Sequence, residues 1–175
     1  QYVARGGKIV AFYSISERVA RLIGFHPGER TEGEFHTILL RSDRLRHLPD
    51  QVVQQSWNIL PIETPAPDAE IIGEWAGPDG KPLGMPGLLI SPRGAYMGHV
   101  LTDGDLFRKG RMLLAVLGEL VPHIWTEAAA HALSEAGDSL DEIEQKVLQR
   151  RDSASQQRAQ SGLAQARAEL AEAQR

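Results

Sequence analysis

The chain has 175 residues, 42% of them apolar, with 23 acidic residues against 19 lysines and arginines, a net charge of −4, and no cysteine. That length and apolar share suffice for one globular core plus a tail. They exclude disulfides, thiolate metal sites and a cysteine nucleophile, argue against nucleic acid because no basic stripe is present, and leave no apolar run near the roughly 20 residues of a membrane span.

Residues 1–7 end like the last turn of a helix closed by Gly6-Gly7, so the chain reads as a piece of a longer protein that continues on both sides. Residues 8–13 form a short apolar strand. Ser14 to Ser16 then turn into a helix over 17–23, with Ser16 as N-cap and Gly24 at its end. Residues 26–33 read as loop, 35–40 as a strand, 45–55 as a loop or short helix, and 57–60 as a strand. Pro61, Pro65 and Pro67 mark an extended connection.

The stretch 70–122 carries the clearest pattern: a strand through Ile71, Ile72 and Trp75, a turn at Gly77-Pro78-Asp79-Gly80, an apolar run at 88–90, and a strand over 95–101. Leu106, Phe107, Leu113, Leu114, Val116, Leu117 and Leu120 recur at three- and four-residue spacing and predict one buried helix face ending at Pro122, with Asp105 as its cap. A second helix is expected over 125–136, a break at Gly137, and a capping box at Ser139-Leu140-Asp141-Glu142 opening another. From Ser139 onward the apolar positions Leu140, Ile143, Val147, Leu163 and Leu170 are sparse. Such a stripe is too thin for a core and suits a solvated linker or a coiled-coil contact. The domain boundaries that follow are 1–136 for an α/β domain and 137–175 for a helical linker.

Candidate chemistry centres on the elbow at Tyr13-Ser14. A strand turning sharply into a helix exposes the turn residue and offers helix-end amides to an oxyanion. The glycines of G-x-S-x-G are absent here, which favours a structural turn. His99, near the end of a strand and followed by Asp103 and Asp105, would serve as general base for Ser14 if the two strands are neighbours, an Asp orienting it. The plainer alternative is a packed histidine. Asp103-Gly104-Asp105 resembles the start of a calcium loop, but Phe107 replaces a ligand and the distal Glu is missing, so no metal is expected. No cofactor is expected either. Trp57, Trp75 and Tyr96 are candidates for stacking on a sugar, their alternative being core packing, and Glu63 with Glu74 is a remote candidate for a glycosidic carboxylate pair. Arg108, Lys109 and Arg111 place cations in the first turns of a helix, where the dipole disfavours them.

The segment Tyr2-Val3-Ala4-Arg5-Gly6-Gly7-Lys8-Ile9-Val10 resembles a "YVxxGGxLV" segment of class I glutamine amidotransferase-like domains, particularly those attached to glycoside hydrolases, such as the β-galactosidase trimerisation domain. Residues 69–75, 79–89 and 93–97 are similar to the run that precedes that family's last helix, so the likeness covers residues 1 to about 122. Ser56-Trp57-Asn58-Ile59 and the Ala/Gln/Arg-rich tail also resemble the segment ahead of the barrel in bacterial family 10-like glycosyl hydrolases. In active amidotransferases a Cys occupies the elbow and a His with a nearby Glu follows a late strand. This chain has Tyr13-Ser14 there, and His99 precedes Val100-Leu101, so no glutamyl thioester can form.

The resemblance implies a flavodoxin-like three-layer α/β sandwich, present as its C-terminal portion and followed by a long helical linker. It implies a non-catalytic accessory domain that positions or oligomerises a larger glycoside hydrolase. The expected partners are a downstream catalytic domain of the same chain, a second copy and carbohydrate, with no nucleic acid and no membrane span. The alternatives are a serine hydrolase built on Ser14, His99 and Asp103, and a carbohydrate-binding module. The compartment stays open.

Overall fold

The structure, a computed structural model, describes residues 1–149 and 153–174. It divides into two compact units, Gln1–Pro122 and His123–Arg175. The first opens with a single 3-10 turn, Val3–Arg5, closed by Gly6 at φ 88°. Strand β1 (Ile9–Phe12) leads through the elbow into α1 (Glu17–Ile23), whose first turn is capped by Ser16, its Oγ accepting from Val19 N at 3.4 Å. There follow β2 (His26–Pro27), β3 (Thr31–Leu40), β4 (Gln51–Ile59), β5 (Ile62–Glu63), β6 (Glu70–Ala76), β7 (Pro82–Ser91), β8 (Gly94–Met97) and α2 (Leu106–Leu120).

Six strands form one sheet in the order β1-β8-β7-β6-β3-β4, and β2 pairs with β5 in a separate ribbon. Only β1 and β8 are parallel; every other neighbouring pair in the large sheet is antiparallel. This overturns the flavodoxin-like expectation, because that sandwich needs a parallel sheet whose strands are joined by crossover helices. Between β2 and β8 the described chain contains no helix. The turns at Gly77–Gly80 and Pro92-Arg93 are too short for a crossover and can only join antiparallel neighbours, so apolar runs read as βα units fold as hairpins.

The sheet curls into a half-barrel. Beyond the end of β4, Leu60 N donates to Gly98 O at 2.8 Å, while Gly98 N donates to Gly87 O at 3.2 Å, so the strand at one edge returns to the end of β8. A bulge with Gln55 at φ 51° assists the bend, and the β3–β4 register shifts around it. Alternation of side chains sends Leu89 and Tyr96 to one face, where they pack with Ala20 and Ile23 of α1 and with Phe25 and Ile62. Leu88, Ile90, Ala95 and Met97 point to the other, against Met112, Ala115, Val116 and Leu120 of α2.

The boundaries of β3 and β4 move outward from the expected ones, whereas β1 is shorter at both ends and β8 stops at Met97, short of the expected Leu101. The stretch 26–33, read as loop, contains β2 and the start of β3, and β4 begins at Gln51 within a stretch read as loop or short helix. Glutamines at 51, 54 and 55 dilute the apolar signal that would have marked a strand there. In α2 the buried side is Lys109, Met112, Ala115, Val116 and Leu120, whereas Leu106 and Phe107 are 71% and 78% exposed, contrary to the expected face. Their spacing fits the stripe, but they occupy the first turn, which extends past the sheet's cover. Asp105 does not cap the helix with its side chain: it sits at φ 59° and its Oδ2 accepts instead from Val53 N at 3.1 Å.

The second unit is a helical hairpin, α3 (Ile124–Leu148) and α4 (Ser153–Ala173). The expected break at Gly137 is absent, and Ser139 lies inside α3 instead of capping a new helix. One glycine lowers helix stability by about 1 kcal/mol, too little to interrupt a 25-residue helix packed along a partner. A Cβ at Gly137 would touch Leu170 at 3.7 Å, and Arg167 reaches Asp141 at 2.5 Å and Glu144 at 2.6 Å, so the helices run antiparallel. Leu133, Gly137, Leu140, Glu144 and Val147 face Gln156, Ala159, Leu163, Ala166 and Leu170 at alternating steps of three and four, the spacing of a coiled-coil seam. Residues 150–152 and 175, expected to be helical, lie outside the described residues.

Candidate functional site

The parallel pair β1 and β8 ends at the elbow, and the candidate residues gather there. Tyr13 takes the sharp turn in the left-handed region, φ 57°. Its N donates to Met97 O at 2.9 Å and its O accepts from the Tyr96 hydroxyl at 2.7 Å, which also donates to Leu60 O at 3.1 Å. One buried phenol thus joins the ends of β1, β8 and β4. Phe25 stacks on its ring with centroids 4.4 Å apart. Burial, with the Tyr13 phenol nearby, raises the pKa of Tyr96 well above the ordinary tyrosine value.

His99, buried, lies one residue past Gly98 with its ring between two aromatics: 5.4 Å from Tyr13 and 4.9 Å, edge to face, from Trp57. Its Nδ1 is 2.9 Å from its neighbour's carbonyl, Val100 O. A carbonyl can only accept, so Nδ1 carries the proton, and in the neutral ring Nε2 keeps the lone pair. Gln54 Nε2 donates to the same carbonyl and lies 3.4 Å from Nδ1. The exposed Ser14 makes no hydrogen bond to His99, nor does Asp103 or Asp105, among the described residues. Asp103 is exposed, and Asp105 is held by Val53 N.

Lys109 fastens the loop that follows β8. Its Nζ donates to Thr102 O at 2.8 Å and Thr102 Oγ1 at 2.9 Å, and that hydroxyl donates to Gln54 O at 2.5 Å. Desolvation lowers the Lys109 pKa, opposed by the charges of Asp105 and Asp103. A polar clamp of Thr102, Asp105 and Lys109 therefore pins residues 98–105 to the bulge in β4.

The three aromatic candidates part company. Trp57 is 62% exposed and presents a ring to solvent, whereas Trp75 and Tyr96 are fully buried, Trp75 lying edge-on to Phe35 at 5.6 Å. Glu63 and Glu74 belong to different sheets, and Glu74 Oε1 accepts from Gly84 N at 2.9 Å. Arg108 lies 3.9 Å from Asp105, Arg111 donates to His47 O at 3.2 Å, and Lys109 turns inward. A separate cleft of about 940 Å³ lies between the 41–50 loop and β6, with Arg41, Ser42, Asp50 and Glu74 on its walls, and includes none of Ser14, His99 or Trp57. The elbow is where the conspicuous side chains converge, so chemistry and open volume do not coincide.

Among the described residues no group of three His, Asp or Glu side chains converges to hold a metal ion, and no helix is long and apolar enough to cross a membrane. The sequence reading missed Gln54, Ser56 and Asn58, buried on the inner side of β4. Their alternation with Gln55 and Trp57 was a legible strand signal, masked because both faces carry polar residues. No protein-family model matches the chain, and no curated protein matches it.

Proposed function

We propose that the chain is a non-catalytic accessory domain that positions or assembles a larger enzyme, with a glycoside hydrolase as the class implied by the sequence resemblance. The observation that carries this reading is the elbow itself. A nucleophile elbow needs its reactive side chain at the strained turn residue, with a base in hydrogen-bond reach. Here the strained residue is Tyr13, its carbonyl held by Tyr96 and its ring packed beside His99. The proton of His99 faces a backbone carbonyl, and the nearby carboxylate of Asp105 supports β4. These groups support packing where a hydrolase would support a proton relay.

The exposed indole of Trp57 favours one second reading, a carbohydrate-binding surface. Two assays on the full chain separate the possibilities. Against p-nitrophenyl esters and glycosides, the wild-type chain, Ser14→Ala and His99→Ala should all match buffer; hydrolysis that falls by orders of magnitude in Ser14→Ala would overturn the accessory reading. Titration with an oligosaccharide panel should leave tryptophan fluorescence unchanged, and saturable quenching lost in Trp57→Ala would establish the second.

A further inference from the structure

We infer that the concave side of the curled sheet holds structural water along the inner face of β4. Three consecutive inward positions of that strand, Gln54, Ser56 and Asn58, are 0%, 3% and 3% exposed. Among the described residues, Gln54 Oε1, Ser56 Oγ and Asn58 Oδ1 have no protein hydrogen-bond partner, and neither has the indole Nε1 of the fully buried Trp75. Buried polar atoms are almost always satisfied by protein or by ordered water, so four in one small unit call for a ligand that both donates and accepts. Gln54 and Asn58 offer acceptors, Trp75 a donor and Ser56 either. Water, with two protons to give and two lone pairs, matches that set, whereas an ion of either sign would leave part of it unmet.

The backbone beside Trp75 is bare of side chains where it meets the indole. Gly87 and Gly98 flank the indole nitrogen, and a Cβ built on them would lie 3.2 Å and 3.7 Å from Nε1. A Cβ on Gly98 would also stand 2.8 Å from Leu60 O, at the end of β4. Two glycines therefore let the backbone lie against the indole nitrogen without adding a side chain beside it. The charged neighbour, Lys109, already donates to Thr102, and His99 Nδ1 to Val100 O, so neither supplies the missing partners. The water belongs to the same layer that seats the 98–105 loop, and it stands independently of the accessory-domain reading.

The test uses the full chain. Ser56→Ala and Asn58→Leu are melted beside wild type. If water bridges these atoms, each variant strands the water's remaining partners, and Tm should fall by about 4 °C or more. If the atoms are simply unpaired, removing them relieves a desolvation penalty; a Tm that rises or stays put overturns the inference. Should Asn58→Leu fail to fold, wild-type NMR decides with Ser56→Ala: a cross-peak between the Trp75 indole proton and a long-lived water supports internal hydration, and its absence overturns it.

Discussion

The two units of this chain are stabilised in opposite ways. In Gln1–Pro122 hairpins are tied together by strands far apart in sequence, β1 with β8 and β3 with β6, and whole side chains such as Trp75, Tyr96, Ile38 and Leu89 are removed from water. In the hairpin of α3 and α4 only Val147 and Leu163 are buried among the described residues, while Ile143 and Leu148 remain 46% and 52% exposed. Its backbone hydrogen bonds are local, and its sequence of Ala, Gln, Glu, Leu and Arg carries high helix propensity. The sheet unit depends on shape, so single atoms matter there. The hairpin depends on composition and on a seam two large side chains deep.

That contrast yields four measurable outcomes. The largest is at Gly94, where an added Cβ would lie 1.8 Å from Ile9 O, inside the parallel ladder. Gly94→Ala should therefore destabilise the sheet unit by at least about 3 kcal/mol, seen as loss of the cooperative near-UV CD transition; an unchanged midpoint would show that β1 is dispensable. In the hairpin, Leu163→Asp should lose about 2 kcal/mol of burial and reduce the helical CD signal at 222 nm while near-UV CD of the sheet unit stays intact. A joint loss of both signals would break the comparison.

Smaller is the alkaline response of Tyr96. Its folded pKa is raised above the unfolded value near 10, so the folded state keeps a proton that the unfolded chain gives up. The stability it contributes is full below pH 10 and declines as pH rises toward the folded value. By pH 11 the loss should reach no more than about 1.4 kcal/mol in denaturant melts and be absent in Tyr96→Phe. Smallest is Phe107→Ser: at 78% exposure, this side chain should change stability by less than about 0.5 kcal/mol, and a larger loss would mean that the first turn of α2 carries part of the core.

The sequence made some of this legible and hid the rest for identifiable reasons. The strand–Ser16–helix elbow, the Gly24 stop and the strands through Trp75, Leu88 and Tyr96 were all readable, because caps and apolar runs are local signals. Topology was not. Nothing local distinguishes an apolar run that feeds a crossover helix from one that turns back as a hairpin, and Pro92-Arg93 decides it only once β7 and β8 are known to be neighbours. The phase of α2 was misread at Leu106 and Phe107 because periodicity finds a stripe but not where its cover begins. At the site, the sequence marks His99 as a histidine near a strand end with Asp103 and Asp105 close behind it. Its surroundings were invisible, since Gln54 and Trp57 reach it only through the curl of the sheet.

The parallel ladder of β1 with β8 has a consequence for how the chain is made. Ile9 to Phe12 leave the ribosome near the start of this segment, and their partners Gly94 to Met97 emerge only after every other strand of the sheet. At about 5–20 residues per second, β1 waits for seconds with no strand to pair with. It is short, and Arg5 and Lys8 lie just ahead of it, charges of the kind that deter strands from adjacent nascent chains from adding to an unpaired edge.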